Sequence, residues 1–524
     1  MHIYDKFPTF VGKVNKFRIF ILKRIKTADM SPAVISITIV AYFIILFTIS
    51  YIAGRKADNE GFFVGNRKSA WYIVAFAMIG STISGVTFVS VPGMVQASSF
   101  SYLQMVLGFI VGQIIIAFVL VPLFYRMNLV SIYEYLENRF GSSSYKTGAW
   151  FFFISKMLGA AVRLFLVCLT LQFLIFDPFH LPFLLNVILT VLWLYTFRGG
   201  VKSLIWTDVL KTFCLVVSVV LCIYYIASSL HLNFSGLVST ISDSDFSKTF
   251  FFDDVNDKRY FFKQFLAGVF TVIAMNGLDQ DMMQRNFSCK NFRDSQKNMI
   301  TSGISQFFVI LLFLMLGVLL YTFTAQQGIG NPEKSDELFP MIATGNYFPG
   351  IVGILFIIGL IASAYSAAGS ALTALTTSFT VDILHAQKKG EAALSQIRKH
   401  VHIGMAVVMG AVIFVFNLLN NTSVIDAIYT LASYTYGPIL GLFAFGIFTK
   451  KQVYDKYIPL VAIASPILCY ILQRNSEAWL NGYQISYELL IINALFTFLG
   501  LCLFIKRQDK ETSYTTHTTK QKVK

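Results

Sequence analysis

Two apolar segments of this chain are interrupted midway by small and polar residues. Segment 72–97 contains Gly80-Ser81-Thr82-Ile83-Ser84-Gly85, and segment 261–284 contains Met275-Asn276-Gly277-Leu278-Asp279-Gln280. A helix in a lipid bilayer keeps its backbone N–H and C=O groups bonded to each other, so unwound backbone at mid-depth is tolerated only beside protein or a wet cavity. Paired interruptions of this kind are typical of transporters built from two related halves.

The composition indicates an all-α polytopic membrane protein. Of 524 residues, 56% are hydrophobic and only 13% are charged, far more apolar sequence than a soluble domain needs. Apolar runs of roughly 17–25 residues predict about thirteen transmembrane helices. They are expected near 32–53, 72–97, 103–125, 148–176, 180–197, 206–229, 261–284, 299–324, 348–384, 399–419, 424–448, 457–473 and 485–505.

Lysine and arginine residues cluster after alternate predicted spans. Arg55 and Lys56 follow the first span, Arg126 the third and Arg198 the fifth, whereas the intervening loops carry few. Positively charged loops of membrane proteins face the cytoplasm, which predicts the amino end of span 1 outside and the carboxyl tail in the cytoplasm. This distribution accounts for the net charge of +15 without a nucleic acid partner. We expect a multi-pass protein of the cell (inner) membrane.

The amino-terminal segment departs from this pattern. Residues 1–29 carry seven Lys or Arg residues in a basic amphipathic stretch that should resist transfer to the outside. We hypothesise that Met30 is the true start and that 1–29 is not translated, the alternative being a membrane-surface helix. Residues 30–510 then form the transmembrane domain, and 511–524 form a polar cytoplasmic tail.

Two charged residues stand out because charge inside a span is costly and marks a pathway by default. Asp208 begins the sixth span, where either an interfacial pair with Lys202 or Lys211 or a role as cation ligand fits its position. Arg163 lies well inside the fourth span. Its guanidinium group could bind a substrate carboxylate through a bidentate pair, or a protein carboxylate could satisfy it equally well.

Three serines form a polar stripe on the ninth span. Ser363, Ser366 and Ser370 lie at i, i+3 and i+7, on one helix face. Hydroxyl and freed carbonyl oxygens suit a monovalent cation such as sodium. The alternative is that small residues here permit close helix packing, with each serine bonded back to its own helix. Beside the break at 80–85, the stripe becomes a candidate ion site.

Several short motifs, taken in order, resemble the sodium/solute symporter family, which includes the sodium–glucose, proline and sialic-acid symporters, in its bacterial-type members. They are Arg55-Lys56-Ala57-Asp58, Phe62-Phe63-Val64-Gly65, Ser84-Gly85-Val86-Thr87-Phe88, Gly199-Gly200, Trp206-Thr207-Asp208, Gly277-Leu278-Asp279-Gln280, Gln284-Arg285 and Phe379-Thr380-Val381-Asp382. The resemblance runs from Met30 to about Lys506. It implies a LeuT-like core of two five-helix inverted repeats, about 72–229 and 261–448.

The resemblance also implies a main sodium site between the first broken helix and the ninth span. Its ligands would be the carbonyls of Gly80 and Ile83, the carbonyl of Ser363 and the hydroxyl of Ser366. A further hydroxyl of the family falls on Ala367 here, which removes one ligand.

A second sodium, present in some members, would bind near Asp208, with Ser370 among the nearest hydroxyls.

The implied solute pocket departs from the sugar transporters of the family. The positions that they use for hexose fall on Thr87, Val272, Gln306 and Tyr429, and Met275-Asn276 replaces an aromatic gate. A typical hexose pocket is therefore not expected.

Sialic-acid relatives hold the substrate carboxylate with an arginine on the helix that carries Arg163. The run Ser84-Gly85-Val86-Thr87-Phe88 is similar to the branch that carries small monocarboxylates. We therefore expect substrate contacts from Thr87, Arg163, Asn276, Gln306 and Tyr429.

The predicted function is sodium-coupled symport of a small organic solute by alternating access. An organic acid such as a monocarboxylate or sialic acid is favoured over a hexose. A symporter-like nutrient sensor and a proton-coupled transporter of the same fold are the alternatives. No loop is long enough for an enzyme domain and no His or Cys cluster has metal-site spacing, so we expect neither catalytic residues nor a cofactor. Expected partners are the solute, sodium and the lipid bilayer, with no oligomeric state implied.

Overall fold

The fold was analysed in a computed structural model of the whole chain. The structure describes residues 32–54, 69–127, 131–172, 176, 180, 182–195, 201–384, 391–419 and 424–506. The predicted amino-terminal segment 1–29 and tail 511–524 lie outside these ranges, as do the motifs at 55–58, 62–65 and 199–200.

The described residues form a bundle of α-helices. In chain order these are α1 (Pro32–Gly54), α2 (Trp71–Thr82), α3 (Gly85–Ser98), α4 (Tyr102–Arg126), α5 (Glu134–Arg139), α6 (Ser142–Leu171), α7 (Phe183–Tyr195), α8 (Val201–Ser229) and α9 (Phe234–Ser242). They continue as α10 (Phe261–Gly277), α11 (Gln280–Phe287), α12 (Phe292–Gln327), α13 (Leu338–Thr344), α14 (Gly350–Ser378), α15 (Glu391–Leu419), α16 (Val424–Phe448), α17 (Ile458–Trp479) and α18 (Leu489–Leu503).

Eight of these helices are long and apolar enough to cross a bilayer on their own. Two further helix pairs qualify only together and are bent at a short break: α2 with α3 by 58°, and α10 with α11 by 70°. Both breaks fall where the sequence predicted them. Helices α1, α7 and α18 coincide with the three remaining predicted spans; thirteen crossings remain a prediction.

Close backbone approach joins α4 to α10, the longer part of the second broken helix. A Cβ atom on Gly108 of α4 would collide with the carbonyl oxygen of Phe265, and one on Gly268 of α10 would collide with that of Met105. Small residues allow helices to approach this closely in membranes, where packing drives association. These contacts hold α10 against α4, on the amino-terminal side of the break. Helix α11 lies on the other side of the break.

Aromatic packing anchors α3, the second half of the first broken helix. The ring of Phe88 lies 5.9 Å from that of Phe313 on α12, 5.1 Å from that of Phe339 on α13 and 5.2 Å from that of Phe356 on α14. All four side chains are fully buried. Such clusters combine area burial with favourable ring geometry, so α3 is fixed to one wall of the bundle, next to the break.

Candidate solute and ion site

The first break leaves backbone carbonyls without helical partners. Helix α2 ends at Thr82, and both Ile83 (φ −81°, ψ 94°) and Ser84 (φ −82°, ψ 170°) are extended. The Ile83 N–H donates to the carbonyl of Ile79, and the Ser84 side chain caps α3 by accepting from the N–H of Thr87. In the described part of the chain, no group donates to the carbonyls of Gly80 and Ile83. These carbonyls are therefore free to bind a cation.

The Ser363 hydroxyl of α14 lies against this break. Ser363 is fully buried, and its Oγ has no hydrogen-bond partner among the residues that the structure describes. A Cβ placed on Gly85, the first residue of α3, would lie only 3.4 Å from that Oγ. An orphan buried hydroxyl is costly unless something satisfies it. The family resemblance implied only the carbonyl of Ser363 as an ion ligand, so the hydroxyl is an additional candidate.

Two further positions of the predicted ion site follow on α14. The side chain of Ser366, a predicted sodium ligand, lies outside the described residues. Ala367 lines the central cavity, so a hydroxyl at that position would face the cavity.

At the second break, Asp279 is fully engaged by the protein. Its carboxylate caps α11 by accepting from the N–H groups of Asp281 (2.9 Å) and Met282 (3.2 Å). It also accepts from Lys156 Nζ at 3.1 Å and from the Tyr436 hydroxyl at 2.8 Å. Lys156 Nζ reaches Asp281 as well, at 3.2 Å. This carboxylate organises the start of α11 and ties it to α6 and α16.

Arg285 of α11 forms a second buried charge cluster. Its Nη1 donates to the carboxylate of Asp208 on α8 and to the hydroxyl of Ser81 on α2, and its Nη2 donates to Ser370 Oγ on α14 at 3.0 Å. Asp208 is completely buried and lies 3.9 Å from Lys211 Nζ. The pair with Lys211 that the sequence suggested is therefore present, inside the protein. The two residues assigned to a second sodium, Asp208 and Ser370, are bridged here by a guanidinium group.

A central cavity of about 110 Å³ lies between the two breaks, enough for a solute and not only for a single water. All five predicted substrate residues line it: Thr87, Arg163, Asn276, Gln306 and Tyr429. Polar groups from both broken helices thus face apolar side chains of α4, α10 and α16. A mostly apolar pocket with a few convergent polar groups is the usual form of a small-molecule site.

Arg163 is the surplus cation of this cavity. Among the described residues, it makes no ion pair and no hydrogen bond, whereas the other cations at the cavity, Lys156, Lys211 and Arg285, have carboxylate partners. Those partners are the carboxylates of Asp208, Asp279 and Asp281. Four cations against three carboxylates leave a net charge of about +1. The cavity is therefore suited to an anion.

Tyrosines close the end of the cavity that is remote from α11. The hydroxyls of Tyr102 on α4 and Tyr429 on α16 lie 2.6 Å apart. The ring of Tyr487 is 5.0 Å from that of Tyr429, and its hydroxyl donates to Asp426. The cavity therefore has an aromatic end at Tyr102 and Tyr429 and an end at α11 that is held by ion pairs.

Three buried cations of the site were not predicted from the sequence: Lys156, Lys211 and Arg285. Arg285 was quoted only as a family motif, and Lys211 only as a partner for Asp208. Lys156 lies seven residues before Arg163 on α6, two helical turns away and so on the same face. That spacing is the signal that could have identified it.

Two broken apolar helices around a polar central cavity are typical of secondary transporters. The comparisons identify the class more narrowly. The model of the sodium:solute symporter family matches residues 62–454. The chain belongs to this family, and it is a multi-span, sodium-coupled membrane transporter and not an enzyme.

Two curated relatives and one solved structure illustrate the similarity. The sodium/sialic acid symporter NanT of Aliivibrio fischeri is 27% identical over 433 residues, which cover 76% of this chain and 80% of NanT. The mouse sodium-coupled monocarboxylate transporter 1 is 25% identical over 412 residues, which span 76% of this chain but only 66% of the mouse protein. A substrate-bound, outward-open structure of a Na+-coupled sialic acid symporter superimposes with a TM-score of 0.74 at 20% identity, covering 91% of this chain and 99% of that one. This last likeness establishes the LeuT-like fold.

Proposed function

We propose that this protein imports a small organic anion, a carboxylate, together with sodium. The observation that carries the proposal is the surplus positive charge of Arg163 in the central cavity. A guanidinium group pairs with a carboxylate through two parallel hydrogen bonds. Relatives that are named for sialic acid and for monocarboxylates support the same class of substrate.

The remaining cavity residues would orient the rest of the solute. Thr87, Asn276 and Gln306 offer hydroxyl and amide groups, and Phe109 and Ile428 offer apolar surface. A solute with a carboxylate at one end and a short apolar or hydroxylated body fits this arrangement of polar and apolar side chains. A hexose has no group that would neutralise Arg163, so it would leave that charge uncompensated.

The coupling ion would bind at the first break. The free carbonyls of Gly80 and Ile83 on the α2 side would combine with the carbonyl and hydroxyl of Ser363 on α14, and Ser366 is proposed as a further ligand. Sodium bound there joins the first repeat to the second and completes the wall of the solute cavity, so solute and ion stabilise the same conformation. Each sodium that moves inward gains roughly 2.3 kcal/mol per 100 mV of membrane potential.

Alternating access would open the two ends of the cavity in turn. We place the Tyr102–Tyr429 end outside and the α11 end, with Lys156 and Arg285, at the cytoplasm, as the distribution of basic loops indicates. The amino end of span 1 is then outside and the carboxyl tail inside the cell.

Uptake into proteoliposomes tests the proposal. An inward sodium gradient should drive accumulation of labelled carboxylates, screened from pyruvate to sialic acid, and not of glucose. Arg163→Gln removes a charged, bidentate hydrogen bond worth about 1.5–3 kcal/mol, so the apparent KM should rise about 10- to 100-fold. Arg163→Lys keeps the charge and should lose less, because an ammonium group lacks the planar fork.

Arg474→Gln is the matched control, because Arg474 is an exposed arginine on α17, away from the cavity. Uptake that ignores sodium and follows a proton gradient would overturn the sodium assignment. An unchanged KM in Arg163→Gln would overturn the anion site. Sodium-dependent binding without any uptake would favour a sensor instead.

A further inference from the structure

Arg285 occupies the place where oxygen atoms from three helices converge. Asp208 of α8, Ser81 of α2 and Ser370 of α14 all accept hydrogen bonds from its guanidinium group, while Arg285 itself belongs to α11. The arginine side chain is only 4% exposed and that of Asp208 is fully buried. A carboxylate and two hydroxyls are hard oxygen ligands of the kind that alkali cations also take. The guanidinium group of Arg285 and a bound sodium ion would therefore use the same oxygen atoms.

We propose that Arg285 and a second sodium ion exclude each other at Asp208 and Ser370. This inference rests on the proposed function, because it assumes sodium as the coupling ion. The negative charge of Asp208 is already shared between Arg285 and Lys211, whose Nζ lies 3.9 Å away. A third cation within a few ångströms in a water-poor interior would meet strong repulsion. Sodium can bind there only when the guanidinium group leaves.

The second break gives Arg285 a way to leave. Helix α11 is eight residues long and meets α10 at 70°, across Leu278 and Asp279. Just before the break, the π-helical turn Ile273–Gly277 replaces the regular α-helical bonds, and such turns often mark functional sites. A tilt of α11 about this break would withdraw Arg285 from three helices at once, with Lys156 holding Asp279 at the pivot.

Exchange of the two cations gives sodium release a direction. Ser81 follows Gly80 of the main sodium site and donates to Asp208 at 3.0 Å, so the two ion positions adjoin. When α11 tilts, sodium from the main site can move to Asp208. Return of Arg285 then displaces it towards the cytoplasm and restores the bridge. Arg285 acts as a resident cation that resets the site after each cycle.

Direct sodium binding to the purified full-length protein tests the proposal. With ²²Na⁺ as the probe, at concentrations that just fill the main site, the wild type should bind one sodium per chain. Arg285→Gln should bind two, and Arg285→Gln with Asp208→Asn should return to one. Arg285→Lys is the matched control and should stay at one, because the positive charge remains. The same stoichiometry in Arg285→Gln and wild type overturns the proposal, whereas a wild type that binds no sodium overturns the proposed function instead.

A second measurement covers the case in which Arg285→Gln does not fold. Met282 of α11 lines the cavity, and Cys502 is the exposed cysteine of the described residues. In a Cys502→Ser background, maleimide should label Met282→Cys faster as sodium is raised, because sodium at Asp208 holds Arg285 away. Adding Asp208→Asn should make labelling independent of sodium above the concentration that fills the main site. An equal sodium dependence with and without Asp208→Asn contradicts the exclusion.

Discussion

The hydroxyl of Ser363 on α14 can replace the ligand that Ala367 removes from the proposed sodium site. Ala367 removes a hydroxyl that the family pattern supplies, and the position faces the cavity. Four residues earlier on the same helix, the Ser363 hydroxyl is buried next to the break and has no partner within the described part of the chain. A serine inside a helix normally bonds back to its own backbone. Ser363 does not, which leaves its oxygen for the ion.

We therefore expect Ser363→Ala to weaken sodium binding about tenfold or more, since one oxygen ligand is lost without a change of packing volume. Adding Ala367→Ser should restore most of the affinity, because a hydroxyl returns one turn away. Thermal shift titrated with sodium, with potassium as the blank, measures both. Ser218→Ala is the control, because Ser218 is a buried serine on α8 that likewise has no partner in the described ranges. Equal sodium affinity in Ser363→Ala and wild type would remove this hydroxyl from the site.

At the scale of residues, the sequence identifies charges but not their partners. Asp208 and Arg163 stand out because each interrupts an apolar span. The residues that Asp208 bonds, Ser81 and Arg285, are 127 and 77 positions away, and only the packing of α2, α8 and α11 brings them together. The structure also distinguishes two arginines at the cavity: among the described residues, Arg285 has a carboxylate partner and Arg163 has none.

A buried carboxylate fastens the segment between α12 and α13 to helix α16. Asp336 lies in the 3₁₀ turn Ser335–Glu337, between α12 and α13, and accepts from the N–H of Val424 at the start of α16 at 3.2 Å. Burial raises the pKa of Asp336 more than the neighbouring Ser90 hydroxyl and the Val424 N–H lower it, and the nearby Asp426 carboxylate raises it further. The segment is thus attached to α16 through a buried carboxyl group.

This attachment should depend on pH. Because the pKa of Asp336 is higher in the folded state, its contribution to stability is full below the unfolded value of about 4 and is lost as pH rises through the folded value. Hydrogen exchange of residues 335–344, corrected for intrinsic rates, should therefore show more protection at pH 5 than at pH 8. Asp336→Asn should remain protected at both, since an amide oxygen still accepts from Val424. Glu333→Gln, an exposed neighbour, is the control, and a pH dependence that survives in Asp336→Asn contradicts the assignment.

The helices themselves could be read from the sequence because bilayer thickness fixes their length and because Gly, Ser and Asn mark the breaks. The second break was expected over 275–280, but the helix continues through a π-helical turn to Gly277. Hydropathy has no means of distinguishing a π-helical turn from unwound chain. The short helix α9 was not predicted either, because its nine residues are too few to be recognised as a membrane span.

At the scale of the whole molecule, the cavity is closed by different chemistry at its two ends. Tyr102 and Tyr429 meet through neutral hydroxyls, whereas the α11 end is held by Lys156, Asp279 and Arg285 in buried ion pairs. Breaking a buried pair is costly, and tyrosine contacts are weaker. The α11 end should therefore be the harder one to open, which suits a gate that yields only after solute and ion are bound.

The proposed orientation makes this asymmetry testable across the membrane. If the Tyr102 end is outside, the loop with Asp254 faces the medium and Lys290, just after α11, faces the cytoplasm; both residues are exposed in the structure. In a Cys502→Ser background, Asp254→Cys should react with a membrane-impermeant maleimide in intact cells, whereas Lys290→Cys should react only after permeabilisation. The reverse labelling pattern would invert the gates and contradict sodium release at Arg285. Labelling of both sites in intact cells would instead place the two loops on the same side, against the alternation of basic loops that predicts this orientation.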